Sequence, residues 1–360
     1  MSQISWWRTT FVEDEIEHIV ASFRNECVSQ GQVTEEFEQK LSEFFEIEHV
    51  VAVSSGSAAL LMSLMAISVQ PGDEVILPNR TWIAAAHAVH LLGGKVVLVD
   101  VEPDRPIMDV TLIEQAVTLH TKAIIPVHMN GRSADMRAIR SIAEKHDLFV
   151  IEDAAQAIAS CNSDGYLGIQ SDIGCFSLSV TKCLSTGQGG FAVTSNKDLA
   201  HKMRAIRTHG VENVKDPKEW IMPGFNFRFN DIQASIGIEQ LKRLLDRVNF
   251  LRELYTTFAR GLDGSPFKLI PVDLKSGEVP LYNEYLVQSR ETWVEKLQQC
   301  GVETRQFYPD IDTAHYLSIN DSNYSNSRPF ANKGIYLPSG PGQELGDIKR
   351  CIETIKKCKL

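Results

Sequence analysis

A chain of 360 residues, 43% hydrophobic and with a formal charge of −10, has enough apolar content to build one large domain and a smaller one. It has no Lys/Arg block and no basic helix, so nucleic acid is not expected as a partner, and no apolar run approaches membrane-spanning length. The opening Met-Ser-Gln-Ile-Ser-Trp-Trp-Arg lacks the apolar stretch of a secretory signal, and seven cysteines without a Cys-x-x-Cys pair point to reduced thiols in a cytoplasmic protein with no metal site.

Residues 1–30 read as an N-terminal arm and a helix. A large domain is expected over 31–239, because short β-branched runs alternate there with helical stretches. The runs are 49–53, 74–78, 95–101, 122–128, 148–153, 174–179 and 190–194; the helices are 57–67, 83–92, 110–119 and 134–146. Continuous apolar strands between helices predict an α/β fold whose mainly parallel sheet is covered on both faces. Pro71-Gly72-Asp73 and Gly93-Gly94 mark turns between these elements. Beyond about residue 230 the pattern changes. Residues 231–258 read as one long helix carrying Ile232, Ile236, Ile238, Leu241, Leu244, Leu245 and Val248. A strand over 282–288 and helices over 291–300 and 345–357 complete a smaller α/β domain, 240–360.

One lysine stands in an unusual setting. Lys182 follows the strand-like 175–179 and precedes Thr186-Gly187-Gln188-Gly189-Gly190. Desolvation there disfavours the ammonium and frees the amine as a nucleophile. Upstream, Asp153 ends Leu-Phe-Val-Ile-Glu-Asp. A lysine to hold an aldehyde and an acid to hold a pyridinium nitrogen are what pyridoxal phosphate requires of a protein. Gln156, in Glu-Asp-Ala-Ala-Gln-Ala, is placed to reach the ring's phenolic oxygen. A helix cap is the plain alternative for Asp153. Ser54-Ser55-Gly56-Ser57-Ala58 joins a strand to an apolar helix, where free N–H groups and a dipole end suit a phosphate, although an ordinary serine cap has the same look. Trp82 follows the strand 74–78, where it can stack on a flat ring; tryptophan is usually a core residue, and the two readings are compatible here. Cys183, beside the lysine, reads as a small buried hydrophobe rather than a nucleophile.

Together these residues resemble the DegT/DnrJ/EryC1/StrS family of pyridoxal-phosphate-dependent nucleotide-sugar aminotransferases. The likeness covers 31–45, 55–60, 71–78, 123–129, 134–136, 150–157, 172–190, 207–210, 224–233 and 301–309 in order. It implies the aspartate-aminotransferase-like fold and a homodimer with active sites at the subunit boundary. It also implies roles: Lys182 as the Schiff-base lysine, Asp153 as the pyridinium partner, and Gln156 at the ring oxygen. Gly56, Ser57, the Ala58 amide and Ser177 would hold the phosphate and Trp82 would stack. Asn226, in Gly-Phe-Asn-Phe-Arg-Phe, would reach the phosphate of the partner subunit, with Arg228 and Tyr308 near the substrate.

The resemblance implies amino transfer from an amino acid, glutamate, to a nucleotide-linked keto sugar, in amino-sugar biosynthesis for surface polysaccharide. Carbon 4 is the expected position. Members acting at carbon 3 usually carry Gly-Lys-Asn-Leu-Gly-Ala, where this chain has Thr181-Lys182-Cys183-Leu184-Ser185-Thr186, and Leu337-Pro338-Ser339 resembles enzymes that make the 4-amino sugar perosamine. Departures at Ser179-Val180, Gln188 and 306–312 fall in regions that bear on the substrate. One branch of the family replaces the lysine with histidine and dehydrates sugars; this chain keeps Lys182. A dehydratase or a regulatory binding protein on the same fold are the rival readings.

Overall fold

The computed structural model describes residues 3–214, 216–317, 319 and 323–358. Helices α1 (Glu13–Arg24) and α2 (Gln32–Phe45) precede the first strand, β1 (His49–Val53). The chain then runs α3 (Gly56–Ala66), β2 (Glu74–Pro78), α4 (Ala84–Leu91), β3 (Lys95–Val99), a short α5 (Ile113–Ala116), β4 (Thr121–Ile124), α6 (Met136–His146) and β5 (Phe149–Asp153). A small hairpin, β6 (Cys161–Asn162) with β7 (Gly165–Tyr166), precedes β8 (Ile173–Ser177), β9 (Gly190–Thr194) and α7 (Lys197–Arg207).

Seven of these strands form one sheet in the order β1-β9-β8-β5-β4-β2-β3. Only β9 runs against its neighbours, β1 and β8. The other pairings are parallel, so six strands share a direction. Both faces are covered, which is why the strands read as unbroken apolar runs. Val51, Val53, Cys175 and Ala192 face α3, α4 and α7, while Val50, Ala52, Phe176 and Phe191 face α2. Farther along the sheet, Ile76, Ile124 and Val150 pack on Met136, Ile139 and Ala143 of α6. The carboxyl ends of the six parallel strands, with the amino end of β9, form a single edge, and ligand crevices lie outside such edges.

Two expected helices differ. The run 110–119 folds as a single 3-10 turn followed by α5, because its β-branched residues disfavour a helix and Asp109 caps the 3-10 turn through Thr111 N–H at 2.9 Å. The long helix expected over 231–258 is divided into α8 (Asp231–Lys242) and α9 (Leu244–Gly261). At Arg243 the backbone leaves the helical region (φ −105°, ψ 8°), and its guanidinium reaches Glu15 of α1. The break lets α8 lie against α1 and α2 while α9 turns toward the second sheet.

That second sheet is four-stranded and antiparallel, in the order β10 (Lys268–Leu269), β11 (Asn283–Leu286), β13 (Gly334–Leu337), β12 (Arg305–Gln306). Helices α10 (Arg290–Gln299), α11 (Ser327–Lys333) and α12 (Leu345–Lys357) complete it. Gly334 starts β13 against the Phe307 ring, where a Cβ would lie 2.2 Å from a ring carbon. The N-terminal arm is tied to this region: Ile4 bridges Val302, and Trp7 bridges Ser339.

Candidate active site

The strand-end edge places chemistry without long side-chain reach. Ser55 caps α3, its hydroxyl accepting from Ala58 N–H at 3.0 Å. The Ala58 amide, expected free for a phosphate, is thus engaged, while Gly56 and Ser57 open the helix where N–H groups have no intrahelical acceptor. A Cβ on Gly56 would sit 2.9 Å from Ser177 Cβ, so glycine is what lets the helix begin against the end of β8. Small residues, open amides and the Ser57 and Ser177 hydroxyls make an anion cradle.

Asp153 is the last residue of β5 and only 5% exposed. Its Oδ1 accepts from Ala155 N–H at 3.0 Å. Burial pushes its carboxyl above the usual range, opposed by that amide and by the nearby Lys182. Behind it, His128 pairs with Glu152 at 2.8 Å and takes the Ala134 amide on its other nitrogen at 3.2 Å. Glu152 also accepts from Gly168 N–H, Gln170 N–H and the Ser171 hydroxyl. Gln156 uses its carbonyl to accept from Asn130 N–H at 2.9 Å, which leaves its NH2 to donate.

Lys182 lies in a turn, its amide donating to Ser179 carbonyl at 3.0 Å. Its amine has no hydrogen bond or ion pair among the described residues. Three distant groups pin the carbonyls around it. Trp7 Nε1 donates to Val180 at 2.8 Å, the Tyr282 hydroxyl to Thr181 at 3.1 Å, and Arg247 to Cys183 at 3.1 Å. Cys183 is buried, and burial pushes its thiol up to about 12, so it is no thiolate at neutral pH.

These parts enclose a cleft of about 560 Å³ lined by Gly56, Ser57, Trp82, Asp153, Gln156, Ser177, Lys182 and Tyr308. Trp82 is 56% exposed, which rules out the core reading, and it meets the Tyr308 ring edge-on at 5.4 Å. Tyr308 is held by fully buried Arg80, whose guanidinium lies 4.4 Å from the ring and bonds its carbonyl and Asp310. Trp6, Tyr282, Arg305 and Tyr336 also line the cleft and were not singled out from sequence. Trp6-Trp7 was the available signal for the arm, and Arg305 lies in the run 303–312, whose aromatic and polar residues can line a cleft; Tyr282 and Tyr336 have none. Asn226 and Arg228 do not line this cleft: they bond each other at 2.8 Å, with Asn226 exposed. No group of three His, Cys, Asp or Glu that could hold a metal occurs among the described residues. No helix there is long and apolar enough to cross a membrane.

The residues fit pyridoxal phosphate. A cradle that any Cβ on Gly56 would crowd, a buried carboxyl that takes a backbone N–H, and an amine with no hydrogen bond or ion pair among the described residues open on the same space. Comparison with known proteins points the same way. The profile of the DegT/DnrJ/EryC1/StrS aminotransferase family matches residues 10–356. GDP-perosamine synthase of Caulobacter vibrioides is 32% identical over 336 residues, covering 91% of this chain and 90% of that protein. The spore coat polysaccharide biosynthesis protein SpsC of Bacillus subtilis is 28% identical over 366 residues, 96% of this chain and 94% of its own. The crystal structure of S. venezuelae DesV in complex with a ketimine intermediate superposes with a TM-score of 0.93 at 28% identity, covering 99% and 98% of the two chains.

Proposed function

The chain belongs to the DegT/DnrJ/EryC1/StrS aminotransferase family and is a pyridoxal-phosphate-dependent sugar aminotransferase, and we propose that it moves an amino group from glutamate to carbon 4 of a nucleotide-linked keto sugar. The observation that carries the reading is the Lys182 amine, which makes no hydrogen bond or ion pair among the described residues, in the cleft that Asp153 also lines. The likeness along nearly the whole chain to a protein named for perosamine supports the sugar acceptor, and a product destined for surface polysaccharide.

Bound pyridoxal phosphate supplies an aldehyde carbon and a ring that withdraws electrons. Lys182 Nζ would anchor the aldehyde and, once released, carry the proton away from the amine-bearing carbon of the donor and, in the second half, toward the corresponding carbon of the sugar. Asp153 would hold the ring nitrogen protonated; in its buried position a charge-assisted hydrogen bond would offset the cost of its own desolvation. Gln156 would donate its NH2 toward the ring oxygen. Gly56, Ser57 and Ser177 would take the phosphate on open amides and hydroxyls. Trp82 would cover the ring, and Tyr308 would stand on the substrate side.

A homodimer is part of the proposal, with Asn226 and its tethered Arg228 serving the partner's cleft. Both lie outside their own cleft, and α1 presents Val12, Ile16, Val20 and Phe23 to solvent along one face.

The test offers glutamate-loaded enzyme a panel of nucleotide-linked 4-keto and 3-keto sugars, with the amine position read by NMR. The 4-amino sugar is expected. Amination at carbon 3 overturns the regiochemistry, a deoxy sugar product supports the dehydratase, and turnover of small keto acids alone overturns the sugar reading.

A further inference from the structure

Two cations line the cleft, Lys182 on the strand-end floor and Arg305 on the edge strand β12. The floor already has an acid, an amine and an anion cradle, which together serve a cofactor with a single phosphate. Arg305 stands apart from them, 57% exposed at the open side. Its guanidinium carbon lies 5.3 Å from the ring centre of Trp6. Glu303 ties the pair together, one carboxylate oxygen accepting from Arg305 Nη2 at 3.2 Å and the other from the Trp6 backbone N–H at 3.3 Å. The Glu303 amide in turn donates to Ile4 carbonyl at 2.9 Å. The guanidinium is therefore stacked on an indole and aimed by one carboxylate oxygen, with its remaining N–H donors unengaged among the described residues. A stacked guanidinium of this kind is preorganised to take a phosphate on two donors at once.

We propose that Arg305, stacked on Trp6, is the second anion subsite of the cleft and takes the diphosphate of the nucleotide-linked sugar. The inference rests on the sugar-aminotransferase reading and names the group that holds the acceptor. Size favours the diphosphate over a donor carboxylate. The α-carboxylate of an amino acid adjoins its reacting carbon and belongs near Lys182. In a nucleotide-linked 4-keto sugar the width of the sugar ring separates the reacting carbon from the diphosphate. With carbon 4 at the floor, the diphosphate lies toward the open side, where Arg305 stands. The N-terminal arm that supplies Trp6 is thereby part of the acceptor site, and Trp7, the next residue, is bonded to the lysine turn.

Calorimetric titration of the holoenzyme with GDP, UDP and dTDP, and with the corresponding nucleosides, tests the subsite in wild type, Arg305→Lys and Arg305→Ala. For the nucleotide that wild type prefers, Arg305→Ala is expected to weaken the diphosphate about tenfold or more and the nucleoside less than about threefold. Arg305→Lys keeps the charge without the fork and is expected to fall between. Circular dichroism checks that the exposed substitutions leave the fold intact. In single-turnover half-reactions, the rise in KM for the sugar is expected to exceed that for glutamate by about tenfold. Equal diphosphate affinity in wild type and Arg305→Ala overturns the inference, and a larger effect on glutamate reassigns Arg305 to a donor carboxylate. If wild type aminates no nucleotide sugar, the functional reading itself falls; if it does so while Arg305→Ala binds diphosphate as well, only the subsite falls.

Discussion

On the floor of the cleft, Asp153 and Ser177 are the last residues of β5 and β8, and Gly56 opens the helix that follows β1. On its wall, Trp6 comes from the arm, Tyr282 from the residue before β11, Tyr336 from β13, and Arg305 from the edge strand of the same sheet. Sheet ladders hold Asp153 and Ser177, so these short side chains need little further support, and the turn that carries Lys182 is pinned by Trp7, Tyr282 and Arg247. The wall is held by side chains that meet across the fold, such as Arg80 with Tyr308 and Glu303 with Arg305 and Trp6. A fold arranged in this way keeps reaction chemistry on backbone-fixed positions and leaves selectivity to surfaces that substitutions can alter without disturbing the sheet. Damage to the floor is then expected to remove catalysis, and damage to the wall to reduce it or redirect it.

Lys182→Ala carries the largest expected effect. Single-turnover amino transfer should fall by on the order of 10⁴-fold with an unchanged circular dichroism spectrum, because the amine is both the covalent anchor and the proton carrier. Borohydride reduction of wild type followed by peptide mass spectrometry should place the cofactor on Lys182; an adduct on Lys122 or Lys197 would refute the floor as drawn.

Asp153→Asn should slow transfer by on the order of a hundredfold, since an amide cannot hold a protonated ring nitrogen. Its effect on the cofactor-free protein runs the other way. The folded carboxyl is raised above the usual range by burial. Its stabilising share is therefore complete below the unfolded value of about 3.9 and is lost as pH rises through the folded value. Cofactor-free Asp153→Asn should melt no lower than wild type near pH 7, with any advantage shrinking toward about pH 4. A clearly lower melting point near neutrality would mean that Asp153 has a stabilising partner the geometry does not contain.

Trp7→Phe and Tyr282→Phe each remove one donor from the lysine turn while keeping most of the ring. Each should slow transfer less than about tenfold and cost about 1 kcal/mol in denaturant melts. Because both act on the same turn, the double variant should depart from additivity; strict additivity would mean that the two contacts do not share a task.

The smallest effect is expected at Cys183, which touches the lysine in sequence but not in chemistry. Native protein should resist alkylation there near pH 7, as the thiol is buried and pushed up to about 12. Cys183→Ala should keep activity within about twofold and lose about 1 kcal/mol of stability.

The α/β fold, the seven runs that became the main sheet and the placement of Lys182, Asp153, Gln156, Gly56, Ser57 and Ser177 near strand ends were all legible in the sequence. Their signals are local: an apolar run followed by a turn, a glycine where a helix must start against a strand, an acid closing a β-branched segment. Local sequence also misled. A periodic apolar pattern hid the break at Arg243, which depends on a guanidinium reaching Glu15 more than two hundred residues earlier in the chain. The engagement of the Ala58 amide by Ser55 was decided by the rotamer of one hydroxyl. The paired tryptophans at 6–7 and the aromatic and polar run 303–312 stand out locally, but nothing in the sequence marks Trp6, Tyr282, Arg305 and Tyr336 as neighbours of one another, since each lies in a separate segment and none is tied to the others by spacing. Periodicity and turn chemistry act over a few residues and so determine elements and strand ends; which remote side chains share a cleft is decided only when the arm and the second sheet close over that edge, because burial and pairing are properties of the packed chain.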